Sequence, residues 1–246
     1  MEEETLQDFP ITGNHDIILS GGPALNNIHA IIFDMDGLLL DSERIALSTF
    51  IDACREHDFE PDVNVYFKCI GTTEVQTREI LLNGYGKDFP FNAVYKLWKN
   101  KYHEEISSKP VPLKDGVLDL LQYLQKKDIK KAVVTSTNQE SAVKRLASSE
   151  IVHFFEFVLG GDQVSRGKPD PEIYLTACRK LNVAPANCLA LEDSNNGVLS
   201  AFSAGLTVIQ IPDLLEPSAR VKALGHNIVK SLFDVENILK QFESIM

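Results

Sequence analysis

The chain has 246 residues, 44% of them hydrophobic and 24% charged, which suits one core of ordinary size plus a smaller inserted domain. Its 24 basic and 35 acidic residues leave a formal net charge of -11, unfavourable for non-specific binding to nucleic acid or to an anionic membrane surface. No apolar run approaches the ~20 residues of a membrane helix, and the acidic opening MEEETLQDFP lacks the features of a secretory leader.

Residues 1–28 read as an N-terminal extension, with a Gly-Gly-Pro turn and one short apolar piece at Ile17, Ile18 and Leu19. His29 to Phe33 is a short, β-branched apolar run that ends abruptly in acidic and glycine residues, the pattern of a buried parallel strand. Residues 43–110 then carry only helical patterns, at 44–57, 74–82 and 91–106. A strand-to-strand crossover needs only about a dozen residues, so this stretch reads as an α-helical domain inserted after the first strand. Pro110-Val111-Pro112 marks the return to a core made of residues 29–42 and 111–246. From there helices at 116–127, 138–148, 171–181 and 195–204 alternate with strands at 130–135, 155–159, 188–191 and 206–211. That alternation predicts an α/β fold whose parallel sheet is covered by helices on both faces.

Open parallel sheets bind ligands beyond the carboxyl ends of their strands, so the polar residues there are the candidates for a site. After the first strand stand Asp34 and Asp36, two apart and able to reach one pocket, with Gly37 allowing a sharp turn. Two such carboxylates imply a cation between them or a raised pKa, although a DxDG turn or helix cap accounts for them as well. After the second strand, Thr135-Ser136-Thr137-Asn138 suits a helix N-cap and equally presents a hydroxyl and free N–H groups to a phosphate. Lys168 follows the third strand beside a rigid Pro-Asp-Pro segment, and Glu192-Asp193-Ser194 follows the fourth. Each piece has a bland explanation. Together the four strand ends supply oxygen ligands for a hard cation, a lysine and a carboxylate nucleophile.

The stretches FDMDG-LLLDSE, VVTST, GKPDPEIY and LALEDSNNG resemble the four motifs of the haloacid dehalogenase superfamily, in order and over residues 29 to about 230. More narrowly they are similar to its subfamily I phosphatase branch, which includes pseudouridine-5′-phosphatase, sugar-phosphate phosphatases and β-phosphoglucomutase. The resemblance implies a Rossmann-like core with a helical cap and a Mg²⁺-dependent phosphatase acting on a small phosphomonoester, of sugar-phosphate or nucleoside-monophosphate type. By that likeness Asp34 is the nucleophile that forms an aspartyl-phosphate, and Asp36 is the general acid and base. Mg²⁺ would be held by Asp34, the Asp36 carbonyl and Asp193, with Glu192 either a weaker ligand or an outer partner. Ser136, the Thr137 N–H, Asn138, Gly37 and Lys168 would surround the phosphoryl group. Gly71 and Thr72, in a turn before a cap helix, would enter the site from the cap. The branch also implies a cytoplasmic monomer whose partner is a small phosphorylated metabolite.

Three other readings compete with this one. A dehalogenase needs neither a metal nor a proton donor two residues on, and Asp36 and Asp193 oppose it. A phosphomutase carries a cap histidine where Ala46 stands, and basic residues near Ile70 and Glu74, so hydrolysis is favoured. A non-catalytic protein that keeps the fold would be expected to lose one of Asp34, Asp36, Lys168 or Asp193, and none is lost. Cys54, Cys69, Cys178 and Cys188 form no CxxC pair and read as buried thiols. His57, His103 and His153 lack metal-ligand spacing, and Trp98 reads as a packing residue.

Overall fold

This computed structural model describes residues 27–70, 74–127 and 129–244. The N-terminal extension before residue 27 and the Gly71-Thr72-Thr73 turn lie outside the described residues.

Six parallel strands form one sheet: β1 (Ala30–Phe33), β2 (Lys130–Val134), β3 (Phe157–Leu159), β4 (Cys188–Glu192), β5 (Thr207–Gln210) and β6 (Asn227–Ile228), in the order β3-β2-β1-β4-β5-β6. The first five lie within a residue or two of the expected runs, the usual uncertainty of element ends. The two-residue β6 at the sheet edge was not foreseen, because so short a strand carries no periodicity. The sheet order reverses at β1, which has β2 on one side and β4 on the other. Phe33 pairs with Val133 across one edge and with Leu191 across the other, so Asp34, Val134 and Glu192 emerge at one level.

Side chains alternate across the sheet, and both faces are buried. Ile31, Phe33, Val133, Leu189, Leu191 and Ile209 pack on one side with Leu120, Leu121 and Leu124 of α5 (Val117–Gln125) and Val235 and Ile238 of α9 (Leu232–Ser244). Ala30, Ile32, Ala132, Val134, Ala190 and Val208 pack on the other with Ile173, Tyr174 and Ala177 of α7 (Glu172–Leu181) and Val198 and Ala201 of α8 (Asn195–Ser203). A fully buried Leu, Ile, Val or Phe contributes ~1.5–3 kcal/mol over an exposed one, so the strand runs themselves set the sheet.

A third hydrophobic cluster joins α1 (Ser42–Arg55), α2 (Val63–Phe67), α3 (Glu74–Tyr85) and α4 (Phe91–Ser108) through Phe50, Tyr66, Leu81, Phe89 and Val94. The helical expectation for this stretch is met, with the one-turn α2 added. Trp98 meets Phe50 and Tyr66 edge-on at 5.2 and 5.7 Å. The two chain crossings between this cluster and the sheet are paired to each other. Leu40 bridges Leu113, the Asp41 N–H donates to the Pro112 carbonyl (2.8 Å), and the Lys114 N–H donates to the Leu39 carbonyl (3.0 Å). Among the described residues, no helix is long and apolar enough to cross a membrane.

Candidate active site

Asp34 leaves β1 at the reversal of strand order and is 7% exposed. Its backbone N–H donates to Leu191 O (3.0 Å), which ties the end of β1 to β4. Lys168 Nζ donates to Asp34 Oδ1 (2.5 Å) and Glu192 Oε1 (2.6 Å), and its side chain is only 5% exposed. The local chain explains why Lys168 points inward. The Glu172 carboxylate accepts the N–H groups of Ser165 and Arg166 (2.9 and 3.0 Å), and Ser200 Oγ donates to the Asp170 carbonyl (2.6 Å). The Lys168–Pro169 peptide within this segment is cis.

Glu192 is fully buried and its oxygens are occupied. Oε1 accepts from Lys168 and from Tyr174 Oη (2.6 Å), and Oε2 from Ser194 Oγ (3.2 Å). The helix behind it leaves no slack, since a Cβ on Gly197 would fall 2.0 Å from the Glu192 carboxylate. Asp193 is the next residue, and its Oδ1 is buried without a hydrogen-bond partner. Oxygens of Asp34, Glu192 and Asp193 come within 4.8 Å of one another.

The electrostatics of this cluster are unbalanced. Burial pushes the Asp34 carboxyl well above the usual range, Glu192 and Asp36 push it further, and Lys168 pulls back. Burial, with Asp34, Glu192 and Glu43, does the same to Asp193. Burial alone would lower Lys168, but Asp34 and Glu192 outweigh it and raise the ammonium pKa overall. Three carboxylates thus face one ammonium, two charges short of neutrality. A hard divalent cation would supply that charge and use the unpartnered Asp193 Oδ1, and an all-oxygen donor set suits it. The residues present fit a Mg²⁺-type ion.

Asp36 is held apart from this cluster. Its Oδ1 accepts from Ser42 Oγ (2.8 Å) and Arg145 Nη1 (3.1 Å), and its Oδ2 from Thr137 Oγ1 (2.8 Å). Thr137 therefore differs from expectation. Its hydroxyl serves Asp36, and its N–H donates to Thr135 Oγ1 (3.1 Å) instead of facing outward. Asn138 caps α6 (Gln139–Ser148) by accepting the Ser141 N–H (3.0 Å), and Ser136 is exposed at the tip of β2. Gly37, with φ +85°, turns the chain after Asp36, and its N–H donates to Leu40 O (2.9 Å). A Cβ there would sit 2.4 Å from Asp193 Oδ2, so Gly37 lets the two acidic loops meet.

Sequence reading missed Arg145, Tyr174 and Glu43. Arg145 lies two turns into α6 and Tyr174 lies within α7, so neither is next to a strand end. The tyrosine inside GKPDPEIY could have been singled out as a polar group in an apolar helix face. Glu43 belongs to the quoted LLLDSE stretch. Its carboxyl is pushed up to about 7 by burial, then by Asp36, Asp213 and Asp41. It lines a cavity of ≈ 260 Å³ with Ala46, Tyr66, Ile70, Trp98 and Tyr102, all of them residues of the helical cluster. Trp98 therefore does two things: it packs and it walls this cavity. Its indole N–H donates to Ala46 O (2.8 Å), so Ala46, where a mutase carries histidine, brings only a methyl group and a used carbonyl. All four cysteines are buried thiols outside any disulfide, with Cys178 and Cys188 Sγ 3.6 Å apart.

Glu43 provides a pH prediction. Its carboxyl holds a proton in the folded chain over a range in which the unfolded chain has released it, so stability falls as pH rises from about 4.5 towards 7. Glu43→Gln is expected to flatten that fall and to be more stable than wild type at pH 8 by on the order of 2 kcal/mol. Urea melts in EDTA at pH 5 and pH 8 check it; parallel profiles would count against a buried protonated Glu43.

Residues 31–211 match the family model described as haloacid dehalogenase-like hydrolase. The chain is 33% identical over 219 residues to a phosphorylated carbohydrates phosphatase of Thermotoga maritima, covering 87% of this chain and 99% of that protein. It is 30% identical over 189 residues to a β-phosphoglucomutase of Bacillus subtilis, covering 74% of this chain and 82% of the relative. In fold it is similar to a HAD family hydrolase from Deinococcus radiodurans R1, with a TM-score of 0.77 at 20% identity over 88% of this chain and 97% of that one.

Proposed function

This chain belongs to the haloacid dehalogenase-like hydrolase family and is a phosphoric monoester hydrolase, and from that premise we propose that it hydrolyses small sugar-phosphate-type esters through an aspartyl-phosphate on Asp34 with Mg²⁺ bound. The observation that carries this reading is the buried set of Asp34, Lys168, Glu192 and Asp193, two positive charges short and with an orphaned carboxylate oxygen.

Asp34, Asp193 and the Asp36 carbonyl would hold the ion, which when bound offsets charge on the phosphoryl oxygens. Glu192, with both oxygens engaged by Lys168, Tyr174 and Ser194, is the outer partner that fixes Lys168. Asp34 attacks phosphorus while Lys168 offsets the negative charge of both groups. Asp36 gives its proton to the departing alkoxide, then takes one from the water that hydrolyses the acyl phosphate. To do so it must release some of its contacts with Ser42, Thr137 and Arg145, which position it beforehand. Ser136, Gly37 and Asn138 would border the phosphoryl position. In this reading residues 43–110 form a cap over a core of residues 29–42 and 111–246. The cavity in the cap, walled in part by Glu43 and Tyr102, receives the alcohol.

The aromatic walls and the carboxyl of Glu43 suit a ring that carries hydroxyl groups, in keeping with the carbohydrate esters named for the Thermotoga maritima relative. Ala46 offers no base to hold a sugar for return of the phosphate, which favours water as final acceptor. We take the enzyme to be a cytoplasmic monomer. The test is phosphate release from a panel of hexose, pentose and nucleoside monophosphates with Mg²⁺ and with EDTA. The expected result is turnover of a sugar phosphate that EDTA abolishes; undiminished turnover in EDTA would remove the metal from the scheme.

A further inference from the structure

We infer that Asp213 is a positioning residue that ties the cation site to the two linkers through which the chain enters and leaves the helical cluster. The inference rests on the metal reading above. Asp213 lies three residues beyond the end of β5, in none of the motifs that the sequence analysis singled out.

Its side chain is only 2% exposed. Oδ1 accepts from Lys114 Nζ (2.5 Å) and Arg44 Nη1 (2.8 Å). Arg44 is in the first turn of α1, just past the outgoing linker, and also bonds Asp41 (2.6 Å). Lys114 is on the returning linker, paired to Leu39. One buried oxygen therefore gathers a cation from each crossing.

The other oxygen lies beside Gly37. Oδ2 is buried and has no hydrogen-bond partner among the described residues. It borders the point where a Cβ on Gly37 would stand, 3.6 Å away, and Asp193 Oδ2 borders the same point at 2.4 Å. Two neighbouring carboxylates thus each leave one buried oxygen without a donor, and burial without a donor costs about 1–3 kcal/mol or more for a charged group. A metal-bound water donates where a bare protein group does not, and such outer contacts orient the inner ligands. With a cation bound, Asp213 Oδ2 would accept such a hydrogen bond, while Oδ1 holds the linkers. Cation occupancy and the seating of the helical cluster are thereby coupled through one side chain.

The test is Mg²⁺ titration calorimetry on the full chain, with thermal melts in EDTA and in Mg²⁺. The variants are Asp213→Asn, Arg44→Gln and Asp193→Asn. Asp213→Asn is expected to weaken Mg²⁺ binding ~10-fold and to shrink the Mg²⁺-induced rise in Tm. A merely structural role would lower both melts equally and leave that rise intact. Arg44→Gln, which removes a half-exposed side chain, is expected to weaken Mg²⁺ a few-fold. Wild-type affinity and Tm rise in a folded Asp213→Asn, or in Arg44→Gln should the former not fold, overturns the inference. Asp193→Asn separates the two ideas. If it keeps wild-type affinity, the metal reading itself fails; if it loses binding while Asp213→Asn does not, only the role of Asp213 fails.

Discussion

Asp34→Asn is expected to lower kcat for phosphate release by on the order of 10⁴-fold or more while leaving the fold intact. The substitution keeps the shape of the side chain and an oxygen for Lys168, which lies 2.5 Å away in the wild type. What it removes is the charge and lone-pair basicity that attack phosphorus. Other groups that stabilise the reacting phosphate remain, so a small residual rate is expected. Stability should not fall, because Asp34 is one of three buried carboxylates sharing one ammonium, and its loss relieves repulsion. The checks are a steady-state assay, a melt in EDTA, and acid quench with ³²P-labelled substrate. Label should stay on wild-type protein and be missing from the variant. Full activity in Asp34→Asn would falsify the nucleophile assignment.

Lys168→Met is expected to damage activity and folding together. Methionine keeps much of the aliphatic length but leaves Asp34 and Glu192 facing each other without the ammonium that touches both. Removing one partner of a buried pair typically costs ~3–5 kcal/mol. The remaining carboxyl groups will hold protons that the unfolded chain has released, so the variant's stability will fall as pH rises above the ordinary carboxylate range. Mg²⁺ should restore part of the loss by returning positive charge to the same cavity. Activity should drop at least ~10²-fold, since a fixed donor aimed at developing charge is lost. Urea unfolding at pH 5 and pH 8, each with and without Mg²⁺, measures the effect. A variant with wild-type midpoints throughout would mean that the ammonium is not part of a buried ion network.

Most of the fold was legible because it rests on signals that survive in one dimension. The runs around Ile31, Val133, Leu189 and Val208 are too short and too apolar to be anything but buried strands, and helical patterns separate them. The helical insertion was legible for the opposite reason, since 43–110 contains no such run. The two-residue β6 and the one-turn α2 were not legible, because elements of that length have no period. Of the candidate site, Asp34, Lys168 and Asp193 could be expected to lie close together because parallel strands carry their carboxyl ends to one edge of the sheet. The partners that hold them are drawn from elsewhere. Arg145 reaches Asp36 from 109 positions away and Asp213 meets Lys114 from 99 away, and neither spacing leaves a trace in local pattern.

By itself, the sequence determined the parallel sheet, the insertion and the four strand-end motifs, because apolar periodicity and strand polarity oblige those residues to converge. Tertiary structure alone decided how their charges are apportioned. Glu192 rather than Asp193 took Lys168, Tyr174 and Ser194, and this left Asp193 an empty acceptor where a cation can sit. The physical reason is that hydrogen bonds reach only about 3 Å and each donor can serve few acceptors. Which of two adjacent carboxylates is satisfied depends on ångström-scale packing, such as the space left by the missing Cβ of Gly197.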